Sequence, residues 1–194
     1  MISASLIKEL REETGLSINE CRKALEEAEG DKEKAKILLQ KKGSEIAAKK
    51  GDRTLGSGTV AAYVHAGGAV AAMVELSCET DFVARNPEFQ AIARDIAMHV
   101  AAASPSFLKR DEISEDDRNK ITETLRPEVA DKPAEMQDKI LAAKVDAYFA
   151  DKVLLEQAFI KNPEQKIQDL VNGAVQKFGE RTELRRFSRF SVSE

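Results

Sequence analysis

The sequence predicts an α+β protein, a three-helix N-terminal bundle followed by a small antiparallel sheet packed with helices. Three observations predict it. Apolar residues recur at helical spacing through residues 3–43, punctuated by Gly15, Gly30 and Gly43. The apolar period then drops to two on either side of Ala66-Gly67-Gly68, the pattern of a β-hairpin. From residue 106 to 180 the helical period returns, and Glu183 to Val192 reads as a closing strand. A chain of 194 residues accommodates one moderate domain or two small ones.

Taken in order, Leu6, Ile7 and Leu10 give the first helix an apolar face, and Gly15 ends it. Ser17 and Glu20 form a capping box for the second, since hydroxyl and carboxylate can each take a free backbone N–H at the helix start. Cys21, Ala24, Leu25 and Ala28 follow at helical spacing, and Gly30 stops the helix. Asp31 caps a third helix carrying Ala35, Leu38 and Leu39, with Gly43 behind it. Helices this short are not stable alone, so the three must pack together. Residues 44–58 read as a linker: a basic stub at Lys49-Lys50, then Gly51-Asp52-Arg53 and a flexible Gly56-Ser57-Gly58. The two lysines read as solvated linker charge in preference to a phosphate contact.

In the hairpin, Val60, Ala62 and Val64 alternate, then Val70, Ala72, Val74 and Leu76. Asn86 caps the next helix and Pro87 suits its first position. Phe89, Ile92, Ala93, Ile96, Ala97 and Val100 give that helix one apolar face, which should cover the hairpin. Ser114 caps a helix with Ile121 and Leu125 that ends near Arg126-Pro127. Pro133 starts a longer one using Met136, Ile140, Leu141, Val145 and Tyr148. Asn162-Pro163 opens another, with Ile167, Leu170, Val171, Ala174 and Phe178 inward and Gly179 as its stop. In the closing strand Leu184, Phe190 and Val192 share a phase that Phe187 does not, which calls for a bulge or burial on both sides.

Composition narrows the function. Charged residues make up 33% with a formal net charge of -4, which disfavours nucleic acid as the primary partner. No apolar run approaches the roughly 20 residues of a membrane helix, and the first residues lack a signal-peptide pattern. Two unrelated cysteines, Cys21 and Cys78, suggest a reducing, cytoplasmic setting and no disulfide or metal framework. No phosphate-cradling glycine loop is present, so direct nucleotide binding is not expected, and no residue set points to a cofactor. An enzyme reading would recruit Cys78, His65 and Asp81, but a cysteine in an apolar strand is usually structural. Arg185, Arg186 and Arg189 read as a solvated strand face or partner-facing charge. Phe82 stands with Thr80, Asp81 and Arg85 in a short connection between strand and helix, where an aromatic ring is either a core peg or a wedge for a partner.

Glu79-Thr80-Asp81-Phe82-Val83-Ala84-Arg85-Asn86 resembles the Thr-Asp-Phe-Val-Ala-Lys-Asn signature of the bacterial elongation factor Ts family, with Arg85 in place of lysine. Similar matches occur at Leu10-Arg11-Glu12-Glu13-Thr14-Gly15, at Cys21-Arg22-Lys23-Ala24-Leu25 and at the Glu29-Gly30-Asp31 turn. Two more lie in the stretch from Val153 to Pro163 and at Arg185-Arg186-Phe187-Ser188-Arg189-Phe190. The motifs stand in the family's order across nearly the whole chain. There is no second hairpin-and-helix copy and no coiled-coil arm, so the chain resembles a short-form member.

The resemblance implies a guanine-nucleotide exchange factor that promotes GDP release from the translational GTPase elongation factor Tu. It implies a ubiquitin-associated-like helical domain at 1–50, a linker at 51–58 and an α+β dimerisation core at 59–194. It assigns Asp81 and Phe82 to the GTPase contact, the ring acting as a wedge, with Val83 in support. It places Leu10, Ile18 and Asn19 near a second contact; Asn19 departs from the apolar residue the family often has there. Longer members build their core from two related halves, so a short chain is expected to form a homodimer, with the helices from 133 to 178 and the closing strand as interface. A protein-binding adaptor without exchange activity is the alternative.

Overall fold

The computed structural model describes residues 2–193. Helices α1 (Ala4–Thr14), α2 (Ile18–Glu27) and α3 (Lys32–Lys49) form the N-terminal bundle. Each starts at a side-chain cap that satisfies a free helix N–H: the Ser3 hydroxyl accepts from Leu6 N, Ser17 and Glu20 complete the capping box, and the Asp31 carboxylate accepts from Glu33 N and Lys34 N. Leu10, Leu16, Cys21, Ala24, Leu25, Ala28, Ala35 and Leu39 close a small core of their own.

The third helix does not stop at Gly43. It runs on to Lys49, and Gly43 is buried inside it. A side chain there would meet Gln176 Oε1 at 3.1 Å and the Asn172 carbonyl at 3.5 Å, so the missing Cβ permits close approach to a later helix, α8 (Ile167–Phe178). Tertiary packing thus overrides the local cost of a mid-helix glycine. Lys50, read as linker charge, donates its ammonium to the Gly179 carbonyl just beyond α8.

The main core is a three-stranded antiparallel sheet in the order β1 (Ser57–Val64), β2 (Val70–Cys78), β5 (Thr182–Ser191). Ser57 and Gly58 therefore lie in a strand, not in a linker. Helix α5 (Pro87–Ala103) covers the inner face, burying Phe89, Ala93, Ile96, Ala97 and Val100 against Ala72, Val74 and Leu76. The phase of β1 is the reverse of the one its valines suggest. Val60 and Val64 point outward, 66% and 63% exposed, while Ala61 and Tyr63 pack inward. In β5 the pairing slips between Glu75 and Leu76, so that Arg186 faces Glu75, Leu184 faces Leu76, and Arg185 is the extra residue of a bulge. The slip sends both Leu184 and Phe187 to the core and leaves Phe190 and Val192 on the outer face.

Helices α6 (Glu115–Leu125) and α7 (Ala134–Ala150) form an outlying hairpin with a third cluster around Val129, Leu141, Val145, Phe149 and Val153. Phe149 faces inward where Tyr148 was expected, because it continues the four-residue spacing of Leu141 and Val145. Met136 is 51% exposed and lies off that face. Asn162-Pro163 does not open a helix. Residues Asn162–Lys166 form β4, paired with β3 (Ala158–Phe159), and α8 begins only at Ile167. The residue before a proline is driven to extended backbone, and the ladder partner across the turn keeps it there. Among the described residues no helix is long and apolar enough to cross a membrane.

Candidate functional site

β2 ends at Cys78, and the chain turns through Glu79 and Thr80 into a one-turn helix, α4 (Asp81–Ala84). Thr80 is extended, at φ -124° and ψ 157°, and its hydroxyl accepts from Val83 N at 3.5 Å as the cap of that turn. Asn86 then caps α5 through its side-chain oxygen, which accepts from Glu88 N at 2.9 Å. The turn is therefore clamped between a strand end and a helix start. Val83 and Ala84 face the core and anchor it.

Phe82 points the other way and is 82% exposed. The core-peg reading is thereby excluded in the free chain: the ring stands in solvent on a turn that is held from beneath by its neighbours. Asp81 lies beside it, exposed, and its carboxylate pairs with Arg85 at 3.1 Å one helical turn on. Val83, grouped with these two as a partner contact, is buried at 5% exposure, so its side chain holds the turn from beneath and is not offered to a partner. Leu10 likewise has no exposed surface and belongs to the bundle core. Ile18 and Asn19 open α2, both exposed, Ile18 at 58%.

A hydrogen-bonded network underlies the turn, and nothing local in the sequence marks it. The Glu180 carboxylate accepts from Glu79 N at 3.1 Å, from Thr80 N at 3.0 Å and from the Thr80 hydroxyl at 2.6 Å. The Glu79 carboxylate accepts in turn from Arg181 N and from the Arg53 guanidinium. The Arg181 amide, with Arg53 beside it, holds the Glu79 carboxyl below the usual carboxylate range.

The cysteine–histidine pairing considered from sequence does not come together. Cys78 pairs with Ser57 at one end of the hairpin, while His65 follows Val64 at the other, about 25 Å away along the strands. Burial pushes the Cys78 thiol up to about 11, and it donates to the Thr80 carbonyl at 3.2 Å. Such a thiol is protonated at neutral pH and is not a nucleophile. The Nδ1 of the exposed His65 ring lies 3.2 Å from the Tyr63 hydroxyl. Of the strand arginines, Arg186 pairs with Glu75 at 2.6 Å and Arg189 donates to the Ala101 carbonyl at 3.1 Å.

The family described as "Elongation factor TS" matches residues 4–194. An elongation factor Ts from Carboxydothermus hydrogenoformans is 44% identical over 196 residues, covering 100% of this chain and 90% of that protein. One from Heliobacterium modesticaldum is 43% identical over 196 residues, with 100% and 91% covered. One from Thermosipho melanesiensis is 45% identical over 196 residues, and both chains are covered in full, at 100% each. With the capped bundle, the sheet-and-helix core and the exposed Asp81-Phe82 turn in place, the chain belongs to the elongation factor Ts family.

Proposed function

We propose that this chain is a guanine-nucleotide exchange factor for elongation factor Tu, acting in the cytoplasm during polypeptide elongation and catalysing no covalent reaction itself. The single observation that carries the reading is Phe82, 82% exposed on a turn whose two following side chains are locked in the core. A factor that binds the nucleotide-free GTPase better than the GDP-bound form weakens GDP binding by the same factor that GDP weakens its own. A rigid ring inserted into the GTPase supplies such a preference when its berth exists only in the nucleotide-free arrangement. Displacing the elements that order the magnesium ion also removes charge neutralisation at the phosphates. Asp81 sits at the base of the ring and helps seat it. Ile18 and Asn19 are the exposed members of the second contact.

The working unit in this reading is a homodimer, supported by the outer face of the sheet. Val60, Val64, Met73 and Phe190 stand on one face, between 47% and 69% exposed, and Val192 extends it. The Glu75–Arg186 pair borders them, placing both signs of charge on one patch. A patch that is apolar and carries both charges is self-complementary, as a two-fold contact requires. Two such sheets stacked face to face bury both patches. This interface uses the closing strand but not the helices from 133 to 178.

The test is a fluorescent-GDP release assay with the cognate GTPase, paired with thermal melting. Phe82→Ala should melt like the parent, since an exposed ring contributes under about 0.5 kcal/mol to stability, and should release GDP far more slowly. Asp81→Ala should follow more mildly. Normal release by a folded Phe82→Ala chain would leave the adaptor reading standing instead.

A further inference from the structure

We infer that Glu180 is a positioning residue for the wedge: its carboxylate, delivered from the end of α8, fixes the turn that presents Phe82. This rests on the exchange-factor reading above. A four-residue helix has too few internal bonds to hold its own direction, so its orientation comes from its cap and its anchors. Val83 and Ala84 fix the inner side of α4. Among the described residues, Glu180 is the side chain that accepts from the entry side: the two consecutive amides of Glu79 and Thr80 and the Thr80 hydroxyl all converge on this one carboxylate, at 3.1, 3.0 and 2.6 Å.

The hydroxyl bond has a particular consequence. A threonine hydroxyl carries one proton. Here that proton goes to Glu180, so the lone pairs are left for the Val83 amide, the bond that starts α4. Glu180 therefore also sets the direction of the helix cap. The arrangement is reciprocal. Glu79 accepts from the Arg181 amide while Glu180 accepts from the Glu79 amide, so two neighbouring pairs of residues, about a hundred positions apart in the chain, are stitched side chain to backbone in both directions. Gly179, at φ 70°, supplies the left-handed step that turns Glu180 out of the helix and toward the β2 end.

A ring that must displace part of a partner needs a stiff mount. If the turn is loose, part of the binding free energy goes into ordering it, and less is left for the displaced state. Removing the carboxylate leaves two amides that water can reach, so the fold survives while the mount softens.

The experiment measures GDP release from the cognate GTPase at saturating factor, with melting as the folding control. Glu180→Ala should lower the maximal release rate about tenfold, the loss expected when a few interface groups must be ordered on binding. Glu180→Gln keeps an oxygen for both amides and should restore most of the rate, which loss of bulk packing would not predict. In a Phe82→Ala background, Glu180→Ala should have no further effect, because the residue acts only through the ring. Losses that multiply, or a folded Glu180→Ala chain with the parental rate, would overturn the inference while the exchange reading stands. A parental rate for Phe82→Ala alone would overturn both. If Glu180→Ala does not fold, Thr80→Val is the arbiter: it removes the hydroxyl's bonds to Glu180 and to the Val83 amide while the two amide bonds to Glu180 remain, and a folded variant at the parental rate counts against the role of Glu180.

Discussion

His99 is buried against the main core, 1% exposed on the inner side of α5. Its Nδ1 accepts from Ile160 N at 3.4 Å, so Nε2 carries the proton and donates to the Gln157 side-chain oxygen at 2.9 Å. Gln157 donates onward to the Asp151 carbonyl at 2.7 Å. Burial lowers the His99 pKa, and the Gln157 contact only partly offsets this. A second ring proton would also face the Ile160 N–H, donor against donor. The sign of the pH dependence follows. Above about pH 6.5 the histidine is neutral in both folded and unfolded chains and contributes no slope. As pH falls below that value the unfolded chain takes up the proton first, and stability is lost at up to about 1.4 kcal/mol per pH unit until the folded pKa is reached. His99→Gln should flatten this limb, so its urea midpoint should change less than the parent's between pH 7.5 and 5.5; parallel midpoints would sink the assignment. The exposure of Phe82 was legible only through the family motif, because its polar neighbours left core peg and wedge both open. Glu180 and His99 were not, since their roles come from partners about 100 and 60 positions away, and no local spacing encodes such pairings.

At the scale of elements, the sheet carries two apolar faces. The inner one meets α5; the outer one holds Val60, Val64, Met73, Phe190 and Val192 in the single chain. Alternation in a sequence says that a strand has two faces but not which one is inside. The valines of β1 therefore misled, and Tyr63 with Ala61 took the inner place against the core beneath α5. The same limit applies to Asn162-Pro163, whose turn chemistry suits a helix start as well as a strand start until the partner strand is known. Helix caps fared better, because Ser17, Asp31, Asn86 and Ser114 act within three residues of themselves. The outer face gives a direct expectation. Phe190→Arg should leave the protomer's melting almost unchanged and convert a dimer to a monomer in light scattering at micromolar protein. A parent chain that is already monomeric at those concentrations would eliminate the sheet-to-sheet dimer.

At the scale of the whole molecule, the bundle core and the sheet core are separate clusters, joined where α3 lies along α8. The seam is largely polar: Asn172 donates to the Ser44 hydroxyl at 3.0 Å, Gln176 donates to Glu20 at 2.9 Å, and Gly43 lets the helices approach. Polar seams of this kind resemble those between domains that can exist apart. Deletion of residues 1–50 should accordingly leave a folded, cooperatively melting core that retains weak exchange, the bundle having supplied affinity and the turn displacement. An unfolded product would show the two parts to be one cooperative unit. Full activity would remove the docking role of Ile18 and Asn19.

The extra residue at Arg185 acts on β5 as an insertion acts on a reading frame. Before it, even-numbered side chains enter the core; after it, odd-numbered ones do. One ten-residue strand thereby spells an interior word with Leu184 and Phe187 and an exterior word with Phe190 and, just beyond its end, Val192. Were that residue kept but drawn into a straight ladder, the composition of the strand would be intact and yet the destinations of the rings beyond it would be exchanged, Phe187 passing to the outside and Phe190 to the core; deleting it outright would keep both rings where they are.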